Sequence, residues 1–471
     1  MRYDLLCIGS GPAGQRGAVQ AAKLGRRAII IERGAVGGVC TGTGTIPSKT
    51  FREAIRTFIA TQGTPRASAR PSATDLLARV GQVIDREESV ISNQLARNGV
   101  DIVQGKASFV DPHTIVVQGS NGTQQIEAEH VLIATGTTPA PPPGAASDGE
   151  TIMTSDDIGG MKRLPMSLTV VGAGVIGVEY ASMFAALGVN VTLIDRRDRP
   201  LEFLDHEIVD ELLHQLRKVN VQYRPNEGVE RIEKVDGVTP KVAVMTESGK
   251  RIVSDMVLFA VGRLGATSDL ALDKAGLAAD DRGRLAVDPM FRTSVPHIYA
   301  AGDVIGYPSL AATSSEQGRL AACHALGASA RPMSAHFPIG IYAIPEVSMV
   351  GEPEHELTKQ KVPYEVGVAR YREIARGQIL GDDSGFFKML FHRADRRLLG
   401  VHIMGTNATE LLHIGQAVLG LGGGLDYFLE TVFNYPTLAE CYKVAALDGL
   451  NRVRATPVIE VQASEIGRAH V

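Results

Sequence analysis

Residues 4–14 read DLLCIGSGPAG. The short apolar run from Asp4 to Ile8 has the character of a buried parallel strand. Gly9, Gly11 and Gly14 follow in G-x-G-x-x-G spacing, and the helical pattern QRGAVQAAKLG comes next. Gly9 permits a tight turn, Gly11 lets a pyrophosphate approach the backbone, and Gly14 lets helix and strand pack closely. The helix N-terminus offers free N–H groups and a positive dipole end to phosphate. A second strand, RAIIIE, ends at Glu32, 23 residues after Gly9, where a carboxylate accepts hydrogen bonds from an adenosine ribose. A glycine triplet alone is a weak signal. Strand, triplet, helix and acid in this order mark a dinucleotide site.

The pattern occurs twice. SLTVVGAGVIGVEYASMFAALGVNVTLID, residues 167–195, places Gly172, Gly174 and Gly177 after a β-branched run and closes the next strand with Asp195. Asp195 again lies 23 residues after the first glycine. Two dinucleotides, or one dinucleotide at two places, are expected to bind.

The chain has 471 residues, room for two to four domains with large cores. Hydrophobic residues are 44% and charged residues 21% of it, as in ordinary globular proteins. A net charge of −4 gives no basic footprint for nucleic acid or an anionic membrane surface. No apolar run reaches the roughly 20 residues of a membrane span, and MRYDLLCIGSGPAG breaks too soon for a signal peptide. The four cysteines, Cys7, Cys40, Cys323 and Cys441, lack metal-ligand spacing, and no metal is expected. Their sparse use suits a reducing cytoplasm.

Further motifs follow in order: GGVC…IPSK (Gly37 to Lys49), ATG (Ala134 to Gly136), GAGVIGVE (Gly172 to Glu179), VGR (Val261 to Arg263), TSVPHIYAAGD (Thr293 to Asp303) and PTLAE (Pro436 to Glu440). From Tyr3 to about Arg454 the chain resembles the flavoprotein disulfide reductase superfamily, which includes lipoamide dehydrogenase, glutathione reductase and mercuric reductase. The resemblance implies an α/β fold: two Rossmann-like dinucleotide-binding domains, for FAD and NAD(P), and an α+β C-terminal dimerisation domain. The expected divisions are residues 1–150 for the first part of the FAD domain, 151–283 for the NAD(P) domain, 284–334 for the returning FAD segment and 335–471 for the interface domain. A loop-rich insertion is expected near GTPRASARPSAT and a turn at PAPPPGAAS. The tail after Arg454 matches no motif.

The resemblance implies FAD contacts at Gly9, Gly11, Gly14, Glu32, Arg33, Gly37, Gly38, Val39, Cys40, Thr45, Thr135, Gly136, Gly302 and Asp303, with Asp303 on the ribityl chain. It implies NAD(H) and NADP(H) contacts at Gly172, Gly174, Val175, Ile176, Gly177, Asp195, Arg196, Arg197 and Gly262. Lys49 and Glu179 are implied to pair beside the flavin where hydride arrives, since a cation there stabilises developing negative charge and a carboxylate keeps that cation placed.

Two departures from the pattern carry the functional reading. The disulfide enzymes have C-x4-C; here CTGTGT puts Thr45 in place of the second thiol, and a hydroxyl takes no part in thiol–disulfide exchange. They also have His-Pro-Thr near the C-terminus, where this chain has FNYPTLAE: Tyr435 replaces the histidine while Glu440 remains. Tyrosine, with an ordinary pKa of about 10, is a poor base at neutral pH. The paired loss resembles the transhydrogenase branch of the superfamily, which moves hydride between NADPH and NAD through FAD in a ping-pong cycle. Rival readings are an NAD(P)H:quinone or diaphorase-type reductase and a non-catalytic nucleotide-binding redox sensor; the retention of both Lys49 and Glu179 argues against the sensor. Asp195 suits the ribose of NAD, whereas the arginines after it suit a 2′-phosphate, with Arg197 the expected phosphate ligand. A homodimer or higher homo-oligomer is implied. His402 and His413 are expected to be packing residues.

Overall fold

The computed structural model describes residues 2–62, 70–120, 122–235, 237 and 240–455. Most of the expected insertion at residues 63–74 and the tail from residue 456 lie outside the described residues. The chain forms two compact units, one of residues 1–201 with 216–335 and one of residues 202–215 with 336–471.

In the first unit the strand Arg2–Ile8 pairs in parallel with Ala28–Glu32 and with the far half of Gly122–Ile133. The seven-stranded sheet also takes in Ile298–Ala300, parallel to the end of Gly122–Ile133, so a segment remote in sequence completes the first dinucleotide fold. Its other flank is an antiparallel meander, Lys106–Asp111, Thr114–Gly119 and the near half of Gly122–Ile133. The core strands are apolar on both faces because helices cover one side and the meander the other, as a parallel sheet demands.

The second fingerprint builds a five-stranded parallel sheet, in the order Val221–Arg224, Asn190–Ile194, Ser167–Val171, Met256–Phe259 and Ile152–Thr154. Its helix, Val175–Ala186, has no polar face, and Gly177 to Ala185 are all buried. The helix is covered on two sides: it lies beside the sheet, and Phe184 meets Phe51 of the helix Thr45–Gln62 with ring centroids 6.0 Å apart. The two dinucleotide bodies are joined by a ribbon in which Thr137–Pro139 pairs antiparallel with Arg263–Gly265. Arg263 fastens it, donating to Thr137 Oγ1 (2.9 Å), the Thr137 carbonyl (2.9 Å) and Asp156 Oδ1 (2.7 Å). This gives the VGR motif a structural reason that its sequence alone does not reveal.

The second unit is a five-stranded antiparallel sheet, in the order Ile339–Ile341, Val347–Gly351, Leu398–Met404, Phe386–His392 and Tyr364–Arg370. The helices Ala408–Gly420, Leu425–Glu430 and Glu440–Ala455 share its apolar core. The segment from Glu202 is tied in by the buried Lys388, whose ammonium meets Asp205 at 2.9 Å and Glu207 at 3.1 Å and also contacts Glu354. Nearby, His402 is 1% exposed; its Nε2 lies 3.0 Å from the Glu352 carbonyl and its Nδ1 has no partner. It is a packing residue, as the sequence suggests.

Burial lowers the His402 pKa to about 4, with Lys388 and His355 pushing the same way and Asp205 opposing. The unfolded chain therefore binds a proton below pH about 6.5 that the folded chain refuses until pH about 4. Stability from this residue is complete above pH 6.5 and is lost as pH falls toward 4. Urea unfolding is expected to show about 2 kcal/mol less stability at pH 5 than at pH 7.5 from this source. His402→Gln should flatten that slope; an unchanged slope would assign the acid sensitivity elsewhere.

Candidate active site and nucleotide sites

The two fingerprints solve one packing problem in the same way. A Cβ on Gly14 would lie 1.9 Å from the Gly9 carbonyl oxygen, and one on Gly177 would lie 1.8 Å from that of Gly172. Gly9 and Gly172 have φ of 103° and 100°, and a Cβ on either would meet a carbonyl, of Ala134 or Ala260, at 2.5 Å. These four glycines are closed in. Gly11 and Gly174, the middle ones, face open space with nothing within 4 Å. Each middle glycine also begins a twelve-residue helix, Pro12–Lys23 or Val175–Ala186, with no side chain capping its N–H groups. An anion fits there.

The two acids are also held alike. Glu32 Oε2 accepts from the N–H (2.8 Å) and hydroxyl (2.6 Å) of Ser10, and its Oε1 accepts from Gly34 N–H at 2.8 Å. Asp195 Oδ2 accepts from Ala173 N–H at 2.5 Å. In each case the residue after the first glycine anchors the carboxylate; Glu32 keeps a free acceptor position on Oε1, whereas Asp195 takes three further bonds from Arg197. Ser10 is a residue the sequence reading missed: its hydroxyl also accepts from Gly37 N–H at 2.9 Å, tying the Gly37–Gly38 turn to the first loop. Its place between the first two glycines was the available signal. Arg33 is exposed on the turn after Glu32.

Other candidates gather around the first fingerprint. Gly38 backs onto Gly11, a Cβ there lying 3.2 Å from the Gly11 Cα. The short helix Gly38–Gly42 carries Val39 and Cys40. Burial raises the Cys40 pKa, while a hydrogen bond with the Thr45 side chain pulls it down. Cys40 is thus beside the residue that replaced the second thiol, and all four cysteines are free. Ala134 N–H donates to the Ile8 carbonyl, which brings Thr135 and Gly136 alongside Gly9. Gly302, at φ 82°, donates its N–H to Gln317 Oε1 and introduces Asp303. Asp303 does not cap its own helical turn; it takes one 3.3 Å bond from Ser314, and burial raises its pKa.

An FAD molecule fits these groups on three observations. The space over Gly11 and Gly136 is open, the hydroxyls of Thr43 and Thr135 are buried without partners, and Asp303 has spare acceptor capacity. Thr43 was not among the sequence candidates.

Lys49 and Glu179, 130 residues apart, meet directly. The ammonium lies 2.9 and 2.7 Å from the two carboxylate oxygens. The Glu179 side chain is 4% exposed and that of Lys49 is 26% exposed. The contact forms because the helices Thr45–Gln62 and Val175–Ala186 pack together, and it joins the two nucleotide-binding bodies.

In the second site, Val175 and Ile176 open the helix beside Gly174, and Gly262, at φ 119°, follows the strand that supports Gly172. Arg197 grips Asp195 with two side-chain bonds of 2.9 and 2.7 Å, and Arg196 pairs with Glu247. Tyr435 and Glu440 belong to the other unit. The Tyr435 ring is 67% exposed, and Glu440 Oε2 is buried without a partner.

The family model for pyridine nucleotide-disulphide oxidoreductases matches residues 3–318, and the dimerisation-domain model of that family matches residues 337–446. The chain belongs to the pyridine nucleotide-disulphide oxidoreductase family. Within it, this oxidoreductase is 51% identical over 462 residues to a protein of Mycobacterium bovis named soluble pyridine nucleotide transhydrogenase, covering 96% of this chain and 98% of that one. A protein of the same name in Colwellia psychrerythraea is 44% identical over 462 residues, with the same coverage. Among solved structures, the HOCl-induced flavoprotein disulfide reductase RclA from Escherichia coli superposes with a TM-score of 0.86 at 28% identity, covering 94% of this chain and 99% of that one. LpdA from Mycobacterium tuberculosis gives the same TM-score, identity and coverage. The two-fingerprint fold with a C-terminal dimerisation domain is the one expected from the sequence. No helix among the described residues is long and apolar enough to cross a membrane.

Proposed function

We infer that the protein is an FAD-dependent transhydrogenase that moves hydride between NADPH and NAD. The observation that carries this reading is that a threonine, Thr45, stands beside Cys40 where the disulfide enzymes have their second thiol, so that no second thiol stands ready to take electrons. The naming of relatives at 44–51% identity over almost the whole chain supports it. Bound FAD supplies a two-electron carrier that takes hydride from one nicotinamide and gives it to another.

The chain's own residues position and stabilise. Gly9, Gly11, Gly14, Glu32, Thr135, Gly136 and Asp303 hold FAD; Gly172, Gly174, Gly177 and Asp195 hold the nicotinamide nucleotide. Lys49 presents its ammonium to the reacting face, and Glu179 keeps it aimed. Tyr435 and Glu440 close the site from the C-terminal unit of a partner copy, in a homodimer. Residues 1–150 with 284–334 form the FAD domain and 151–283 the NAD(P) domain. The free cysteines support a reducing, cytoplasmic setting.

The test is anaerobic: reduce the holoprotein with NADPH, add NAD and follow flavin absorbance, which should return to the oxidised spectrum. Failure of NAD to reoxidise it would overturn the reading. In the same assay Cys40→Ser should keep rates within about threefold of wild type, because burial raises the thiol pKa and leaves little thiolate to react. Neither form should reduce lipoamide or glutathione disulfide. Loss of reoxidation in the Ser variant with FAD still bound would give the thiol a redox role.

A further inference from the structure

Three loops meet where the strand Asn190–Ile194 ends. Glu227 N–H donates to the Asp195 carbonyl (2.9 Å), Asn226 N–H to the Arg197 carbonyl (3.2 Å), and Glu247 N–H to the Gly228 carbonyl (2.9 Å). On this layer three cations each face a carboxylate: Arg197 on Asp195, Lys250 on Glu227 at 2.7 Å, and Arg196 on Glu247. A phosphate arriving at the 2′ position of the adenosine ribose can draw a cation from one of these pairs.

The pairs differ in how easily they open. Asp195 is 7% exposed and takes both side-chain bonds from Arg197 together with the Arg197 and Ala173 N–H groups; removing Arg197 would strand a buried carboxylate. Glu227 is likewise buried, at 5%, and its bonds with Lys250 and Ser248 lower its pKa to about 2. Arg196 and Glu247 are 70% and 49% exposed, so separating them costs little. The pair packs over Gly228, where a Cβ would come against Glu247 Oε2 and lie 2.7 Å from Arg196 Nε.

We propose that Glu247 is a specificity-determining residue: it holds Arg196 as counter-ion when the ribose carries a free 2′-hydroxyl, and a 2′-phosphate takes Arg196 from it. Arg196, and not Arg197, is then the guanidinium that separates NADP(H) from NAD(H), while Arg197 stays on the buried Asp195. Glu247 lowers affinity for the phosphorylated nucleotide and leaves the other untouched. A pocket serving both nucleotides thereby avoids holding one too firmly to release it. The proposal deepens the transhydrogenase reading and rests on it.

The test uses the FAD-loaded protein and two fragments that need no hydride chemistry, 2′,5′-ADP and 5′-AMP, titrated by calorimetry. Glu247→Gln should tighten 2′,5′-ADP about two- to fivefold, the scale of an exposed ion pair, and leave 5′-AMP unchanged. Arg196→Ala should weaken 2′,5′-ADP roughly tenfold or more. In the double variant Arg196→Ala/Glu247→Gln the gain should vanish, because the carboxylate acts through that guanidinium. A gain of equal size without Arg196 would make Glu247 a general repulsive charge and overturn the proposal. So would an unchanged 2′,5′-ADP affinity in Glu247→Gln or in Arg196→Ala. Failure of the transhydrogenase reading is seen separately, in wild-type protein whose flavin NAD cannot reoxidise.

Discussion

Lys49→Met is expected to keep its FAD and to be reduced by NADPH roughly a hundredfold more slowly than wild type, the scale of losing one preorganised donor at a site of developing charge. The Glu179 carboxylate is 4% exposed, and both its oxygens lie within 2.9 Å of the ammonium. A carboxylate so placed stays paired only if its cation stays close, so the ammonium is held in place before any nucleotide binds. Replacing it with an isosteric thioether removes the charge and leaves the helix intact. Breaking a fully buried pair costs about 3–5 kcal/mol; Lys49 is a quarter exposed, which reduces that figure. Lys49→Met/Glu179→Gln should therefore recover stability without recovering rate. Stopped-flow reduction by NADPH decides the matter: rates unchanged in both Lys49→Met and Glu179→Gln would remove the pair from the reaction.

The glycines of the second fingerprint should fail in two different ways. Gly177→Val puts a side chain where even a Cβ comes within 1.8 Å of the Gly172 carbonyl oxygen, a backbone atom that cannot swing aside, with the buried Val170 side chain 3.3 Å away. The expected cost exceeds about 4 kcal/mol, and most of the protein should be insoluble or poor in FAD. A Cβ on Gly174 meets nothing within 4 Å. Gly174→Val should fold, carry FAD and melt close to wild type. Yet its added methyls occupy the approach to the helix N-terminus, so NADPH and NADH should both weaken roughly a hundredfold, about 2.7 kcal/mol. Differential scanning calorimetry and nucleotide titration separate the outcomes. Equal destabilisation by both substitutions, or full nucleotide affinity in Gly174→Val, would contradict the division between closed and open glycines.

The fingerprints were legible because their glycines answer local needs: a left-handed turn, a helix against a strand, an open approach. The acids at Glu32 and Asp195 were legible by spacing, since a strand–helix–strand unit fixes how far one loop lies from the next. Lys49 and Glu179 were reached only through resemblance; nothing local in IPSK or GVIGVE names a partner 130 residues away. Arg263 on Asp156 and Arg196 on Glu247 were invisible for the same reason, as tertiary packing chooses which of many surface carboxylates an arginine meets. The antiparallel meander of residues 106–133 went unread, and so did the docking of Glu202–Gln215 with the C-terminal unit, which Lys388 secures from far along the chain.

The ribbon of Thr137–Pro139 and Arg263–Gly265 has an evolutionary and engineering meaning. Its paired registers set Thr137 opposite Gly265 and Pro139 opposite Arg263, so the chain leaves the body of the first fingerprint and returns to it at neighbouring points. Strand partners stand about 5 Å apart. A guest domain inserted at such a doorway asks no loop closure of its host beyond what a short hairpin turn would supply. The body of the second fingerprint therefore has the topology of a cassette, entered and left through one ribbon that Arg263 clasps.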